Sequence, residues 1–73
     1  MKSPYARMRN VKPFQQLMER IRGFYGSITK ACQQTGISEQ SYTKLMNDDD
    51  LSAYVARKIL DHYNSIKGVK SAA

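Results

Sequence analysis

A chain of 73 residues with 41% hydrophobic content makes one small domain with a modest core and cannot enclose a water-free catalytic pocket. Its net charge of +6 and pI near 9.7 suit a polyanionic partner, while a single cysteine, Cys32, excludes an intramolecular disulfide framework and a multi-cysteine zinc site. No apolar run is long enough for a transmembrane segment or a signal-peptide core, so no membrane partner is expected and the expected location is the cytoplasm.

Residues 1–12 lack apolar periodicity and contain Pro4, Lys2, Arg7, Arg9 and Lys12. They read as a flexible basic N-terminal arm, either solubilising or lying in a DNA minor groove. Pro13 suits the start of a helix, where its missing N–H would be unpaired anyway. Phe14, Leu17, Met18 and Ile21 follow at i, i+3, i+4 and i+7, the pattern of one buried face. This first helix is expected to end near Phe24, weakened by Gly23 and broken at Gly26.

Ser27 is placed to cap a second helix. Ile28, Ala31, Cys32 and Thr35 form its inward stripe, and Gly36 ends it on a residue that tolerates positive φ. Cys32, four residues before Gly36, is the small side chain that lets the next helix approach, and it reads as a buried thiol rather than a redox group. Ile37 plugs the elbow. Ser38 caps a third helix over residues 39–46, with Tyr42, Leu45 and Met46 inward.

The run Asn47-Asp48-Asp49-Asp50 reads as a polar connection, too short for an EF-hand loop. Its carboxylates are expected to favour the N-terminal dipole of the last helix. Ser52 caps that helix over residues 53–67, where Val55, Ala56, Ile59, Leu60, Tyr63 and Ile66 give a wide apolar stripe. Gly68 stops it, and residues 68–73 read as a tail. The expected fold is all-α: a compact four-helix domain over residues 13–67.

The segment 27–47 resembles the helix-turn-helix of the lambda repressor and Cro-like family of phage and bacterial regulators, through Cys32, Gly36, Ile37, Tyr42 and Leu45. The resemblance extends over residues 13–67 with the flanking helices. Cys32 stands where alanine is usual, which implies a slightly wider helix crossing. The resemblance implies a DNA-binding transcriptional regulator, by default a repressor, of phage or mobile-element type, in a bacterial or phage-infected host cell. It also implies base contacts from the second helix of the pair and backbone contacts beside it.

A helical wheel puts Gln40, Thr43, Lys44 and Asn47 opposite Tyr42, Leu45 and Met46. Gln40 can pair bidentately with adenine, Lys44 can donate to guanine O6 and N7, and Thr43 can offer a methyl to thymine or a hydroxyl to a base. Glu39 could accept from cytosine, but a carboxylate in the first turn also simply stabilises the helix. Ser27, Thr29 and Lys30, at the positive end of the second helix, are candidates for phosphate, as are Asn47 and the arm residues Arg7 and Arg9.

Charge is uneven along the chain. Residues 1–36 carry seven basic side chains against Glu19, whereas residues 37–73 carry five against five acids. The basic excess thus precedes the helix expected to read DNA. The expected partners are double-stranded DNA and a second copy of the chain, because one domain this small makes too few contacts for tight specific binding. With no ligand domain, control would come from concentration or a regulatory protein partner. No cofactor is expected, and enzyme activity is not: His62, the lone histidine, has no nucleophile or acid at a spacing that builds a triad.

Two other readings stay open. The fold could be a protein-binding module for RNA polymerase, a sigma factor or another regulator, or a phage excision factor directing recombination. Convergence of Arg20, Arg22, Lys30 and Lys44 with Gln40 on one face favours nucleic acid; the N-terminal arm and Arg20 both pointing away from the third helix favours a protein. Structured RNA fits less well, because the A-form major groove is too narrow for a helix.

Overall fold

The computed structural model describes residues 9–69. Among the described residues, four helices make up the fold: α1 (Lys12–Tyr25), α2 (Ile28–Thr35), α3 (Glu39–Asp48) and α4 (Ala53–Ile66). The protein is therefore an all-α domain of four helices, as its periodicities require.

Each boundary has a local cause. α1 begins at Lys12, one residue before the expected Pro13, and Pro13 occupies its first turn. The preceding Val11 does not belong to a solvated arm. Its side chain is only 7% exposed, and its carbonyl accepts from the Gln15 amide at 2.9 Å. Burial of that valine draws the chain into the core before the helix starts. Gly23 does not end α1; the helix runs on to Tyr25 and stops where Gly26 turns left-handed at φ 77°. α3 continues two residues past Met46, to Asp48, and α4 ends at Ile66 rather than Lys67.

The core is formed where the four stripes meet. Met18 and Ile21 of α1, Ala31 and Cys32 of α2, Leu45 of α3, and Ala56 and Ile59 of α4 are buried together. Each fully buried Leu, Ile or Met contributes about 1.5–3 kcal/mol by leaving water. Leu51, between α3 and α4, is also buried; it sits outside any helix, so helical periodicity gave no sign of it. α1 packs against the other three helices. Phe14 lies beside Ala53, Ala56 and Leu60, while Phe24 lies beside Tyr63 and Ile66. α1 and α4 thus run alongside each other in the same sense.

Two expected inward residues face out. Ile28 is 38% exposed and Leu60 41% exposed. Ile28 opens α2, whose buried section starts only at Ala31. Leu60 lies at the outer edge of the wide α4 stripe, where no further described element covers it.

Candidate nucleic-acid interface

The pair α2–α3 is built by three short-range devices. The Ser27 hydroxyl accepts from the Lys30 amide at 3.3 Å, so α2 starts there. Gly36, at φ 86°, closes α2 by donating its N–H to the Cys32 carbonyl. The Ile37 amide donates to the same carbonyl at 3.0 Å, and its side chain packs half-buried on the core. Ser38 then caps α3, accepting from the Ser41 amide at 3.1 Å. Three residues, 36–38, are enough to turn the chain into the next helix because glycine supplies the left-handed step.

α3 presents a two-sided helix. Leu45 is fully buried, and Tyr42 and Met46 pack partly buried beside it. Gln40, Thr43, Lys44 and Asn47 are all exposed, at i, i+3, i+4 and i+7, so they share one outward stripe. Asn47 lies within the helix, not past its end. The Thr43 hydroxyl donates to the Glu39 carbonyl at 3.0 Å, which leaves its methyl and oxygen lone pairs for an incoming group. The stripe holds amides, a hydroxyl and one ammonium, and no carboxylate. Ten residues at ~1.5 Å rise make a rod ~15 Å long, and a major groove ~12 Å wide admits such a helix.

The far end of α3 is held from outside. Gln15 Nε2 of α1 donates to the Leu45 carbonyl at 2.8 Å and to the Asp49 carboxylate at 2.6 Å. Asp49 itself adopts the left-handed conformation, φ 51°, and its amide donates to the Lys44 carbonyl. Carbonyls in a last helical turn lack backbone partners, so this amide clamp serves both the helix end and the turn. The aspartate expected to favour the start of α4 works instead at the end of α3, and no acid lies in the first turn of α4. Ser52 caps α4 as expected, accepting from the Val55 amide at 3.2 Å.

Of the other candidate residues, Ser27, Thr29 and Lys30 are exposed around the start of α2. The Ser27 oxygen is engaged by the Lys30 amide. Arg9 is exposed just ahead of α1; Arg7 lies outside the described residues. Arg20 lines a groove with Phe24, Tyr63, Ile66 and Lys67 that includes no residue of α3. It does not converge on Gln40. A cation that the sequence did not single out lies at the α2–α3 turn: Lys58 of α4 has its Nζ 3.6 Å from where a Cβ on Gly36 would stand. The same ammonium lies 5.4 Å from the centre of the Tyr54 ring, a cation–π spacing. The i, i+4 spacing of Tyr54 and Lys58 was visible in the sequence, but nothing local placed it beside Gly36.

Two titratable groups in the interior depart from their ordinary values. Burial pushes the Cys32 thiol up, with the Glu39 carboxylate adding to it, so the sulfur stays a protonated, inert core group. Burial holds the His62 imidazole below its ordinary value. Its Nε2 lies 2.7 Å from the Tyr25 hydroxyl, and the two rings stack at 5.6 Å. Among the described residues, no group of three or more His, Cys, Asp or Glu is placed to hold a metal ion, and no helix is long and apolar enough to cross a membrane. No family model matches the chain, and neither a curated protein nor a solved structure matches it.

Proposed function

We propose that the protein is a sequence-specific double-stranded DNA-binding regulator, acting most simply as a repressor, which reads the major groove with α3. One observation carries the reading: an exposed stripe of four hydrogen-bonding side chains, free of carboxylates, on a short helix whose opposite face is locked into the core. Gln40, Thr43 and Lys44 would take base edges, and Asn47 a phosphate or base at the groove wall. Ser27, Thr29 and Lys30 would take phosphate at the positive end of α2, and Lys58, beside Gly36 at the other end of α2, would add a separate phosphate contact near the start of α3. The resemblance to the lambda repressor and Cro-like family supports the same assignment of roles.

Phosphate contacts release counterions, so binding to a random-sequence duplex should weaken steeply with salt, by about 0.9 in log K per log salt for each phosphate neutralised. Fluorescence anisotropy across a salt series tests this. Affinity insensitive to salt would rule out a phosphate-centred interface.

A second reading, a protein-binding module of the same fold or a phage excision factor that works through a partner, draws on the position of Arg20. That cation faces a cleft with aromatic walls away from α3, which suits a protein segment better than a duplex. Binding to polymerase or a sigma factor with no DNA preference would favour it.

A further inference from the structure

The exposed face shared by α1 and α4 is unlike the rest of this basic surface. Ala53, Ala56, Arg57 and Leu60 lie at i, i+3, i+4 and i+7 on α4 and, with Phe14 of α1, line a shallow groove of about 200 Å³. Leu60 is 41% exposed there. Arg57 pairs with Asp61, one turn on, at 3.7 Å, both well exposed. The patch is therefore apolar, with one cation and one anion at its edge, and it adds no net charge. Two chains each carrying +6 repel across most faces, and the other α1–α4 groove, with Arg20 and Lys67, would set four cations against each other.

We propose that this face binds a second copy of the chain, α4 against α4, about a two-fold axis. An isologous contact needs a surface complementary to itself. An antiparallel α4 pair with the axis near the level of Ile59 meets that need: Arg57 faces the partner subunit's Asp61, and Asp61 the partner subunit's Arg57. Leu60 then packs near the axis over the partner subunit's Leu60 and the partner subunit's small Ala56, with Phe14 beside it. The patch is small beside the ~800 Å² per partner of a standard interface, so association is weak in free solution and completed on DNA. The proposal rests on the DNA-binding reading for its purpose, since two copies supply two half-sites, but its geometry does not depend on that reading.

Sedimentation of the full chain without DNA tests it, at about 0.5 mM to populate a weak interface. Wild type should sediment as a dimer. Leu60→Glu should weaken association at least about tenfold, while its circular dichroism melt stays that of wild type because the side chain is exposed. Arg57→Glu and Asp61→Arg should each associate poorly alone, and an equimolar mixture should recover a one-to-one dimer. A structural role for either residue would not produce that rescue, and the lost intrahelical pair is exposed and worth little. A monomeric wild type, a dimeric Leu60→Glu, or a mixture no better than its components would overturn the proposal. A dimer with this pattern that selects no DNA sequence would overturn the proposed function and leave the interface standing. Intact sequence selection by a protein that fails these tests would do the reverse.

Discussion

Gln15 of α1 donates to the backbone carbonyl of Leu45, thirty residues away, at 2.8 Å. Its second hydrogen goes to Asp49 at 2.6 Å. One amide thereby ties the first helix to the end of the helix that carries the candidate site. Leu45 fixes the depth of α3 through its buried side chain, and Gln15 fixes its end through the backbone.

Removing that clamp should loosen α3. Gln15→Ala is expected to lower stability by about 1–2 kcal/mol, the cost of a partly buried hydrogen bond whose acceptors lose their partner. Gln15→Glu should cost more at neutral pH, since it places a carboxylate against a carbonyl and Asp49. Urea denaturation of the three proteins measures both; equal stability of all three would show that the clamp contributes nothing.

Much of the fold was legible in the residues. The stripes of α1 and α2 and the caps Ser27, Ser38 and Ser52 are local signals, and local hydrogen bonds realise them. The outward stripe of α3 follows from the inward one by geometry alone. What the sequence hid are contacts between distant segments. Gln15 and Asp49 look like ordinary surface residues until the chain folds. Lys58 looks like any solvated helix lysine until α4 lies over Gly36. Val11 and Leu51 lie beside helices rather than in them, where periodicity carries no information. Arg20, grouped with the DNA-facing cations on charge alone, faces a different groove.

Those positions separate the cations. Lys58→Ala should weaken binding to all duplexes and reduce the slope of log K against log salt by about one phosphate. Arg20→Ala should leave both unchanged. Anisotropy titrations with random-sequence duplex decide this, and a larger loss for Arg20→Ala would move the interface to the α1–α4 cleft.

Thr35 is buried, and its Oγ1 has no hydrogen-bond partner among the described residues. A buried hydroxyl without a partner costs stability, so replacing it with a methyl of the same shape removes a penalty. Thr35→Val should raise stability by about 1 kcal/mol in thermal or urea unfolding. A loss of stability would mean that the hydroxyl is satisfied in solution.

His62 gives the fold a sensitivity to acid. Burial lowers its folded pKa, so the unfolded chain takes up the proton first. The stability that comes from the neutral ring is present above the unfolded value near 6.5 and is lost as pH falls towards the folded value. A neutral Nε2 can accept from the Tyr25 hydroxyl; an imidazolium cannot. Melting temperature should therefore fall below about pH 6.5 in wild type, and the fall should be shallower in His62→Gln. Parallel profiles for the two proteins would remove His62 as the cause.

The proposed function stands or falls with α3 reading base edges. Selection of bound sequences from a random duplex pool, run in parallel for wild type and the Gln40→Ala/Lys44→Ala variant, tests it most directly. Each substitution should cost about 1–3 kcal/mol of discrimination between preferred and random DNA. Wild type should enrich a two-fold symmetric sequence that the variant loses. Enrichment of the same sequence by both proteins, or by neither, would contradict it.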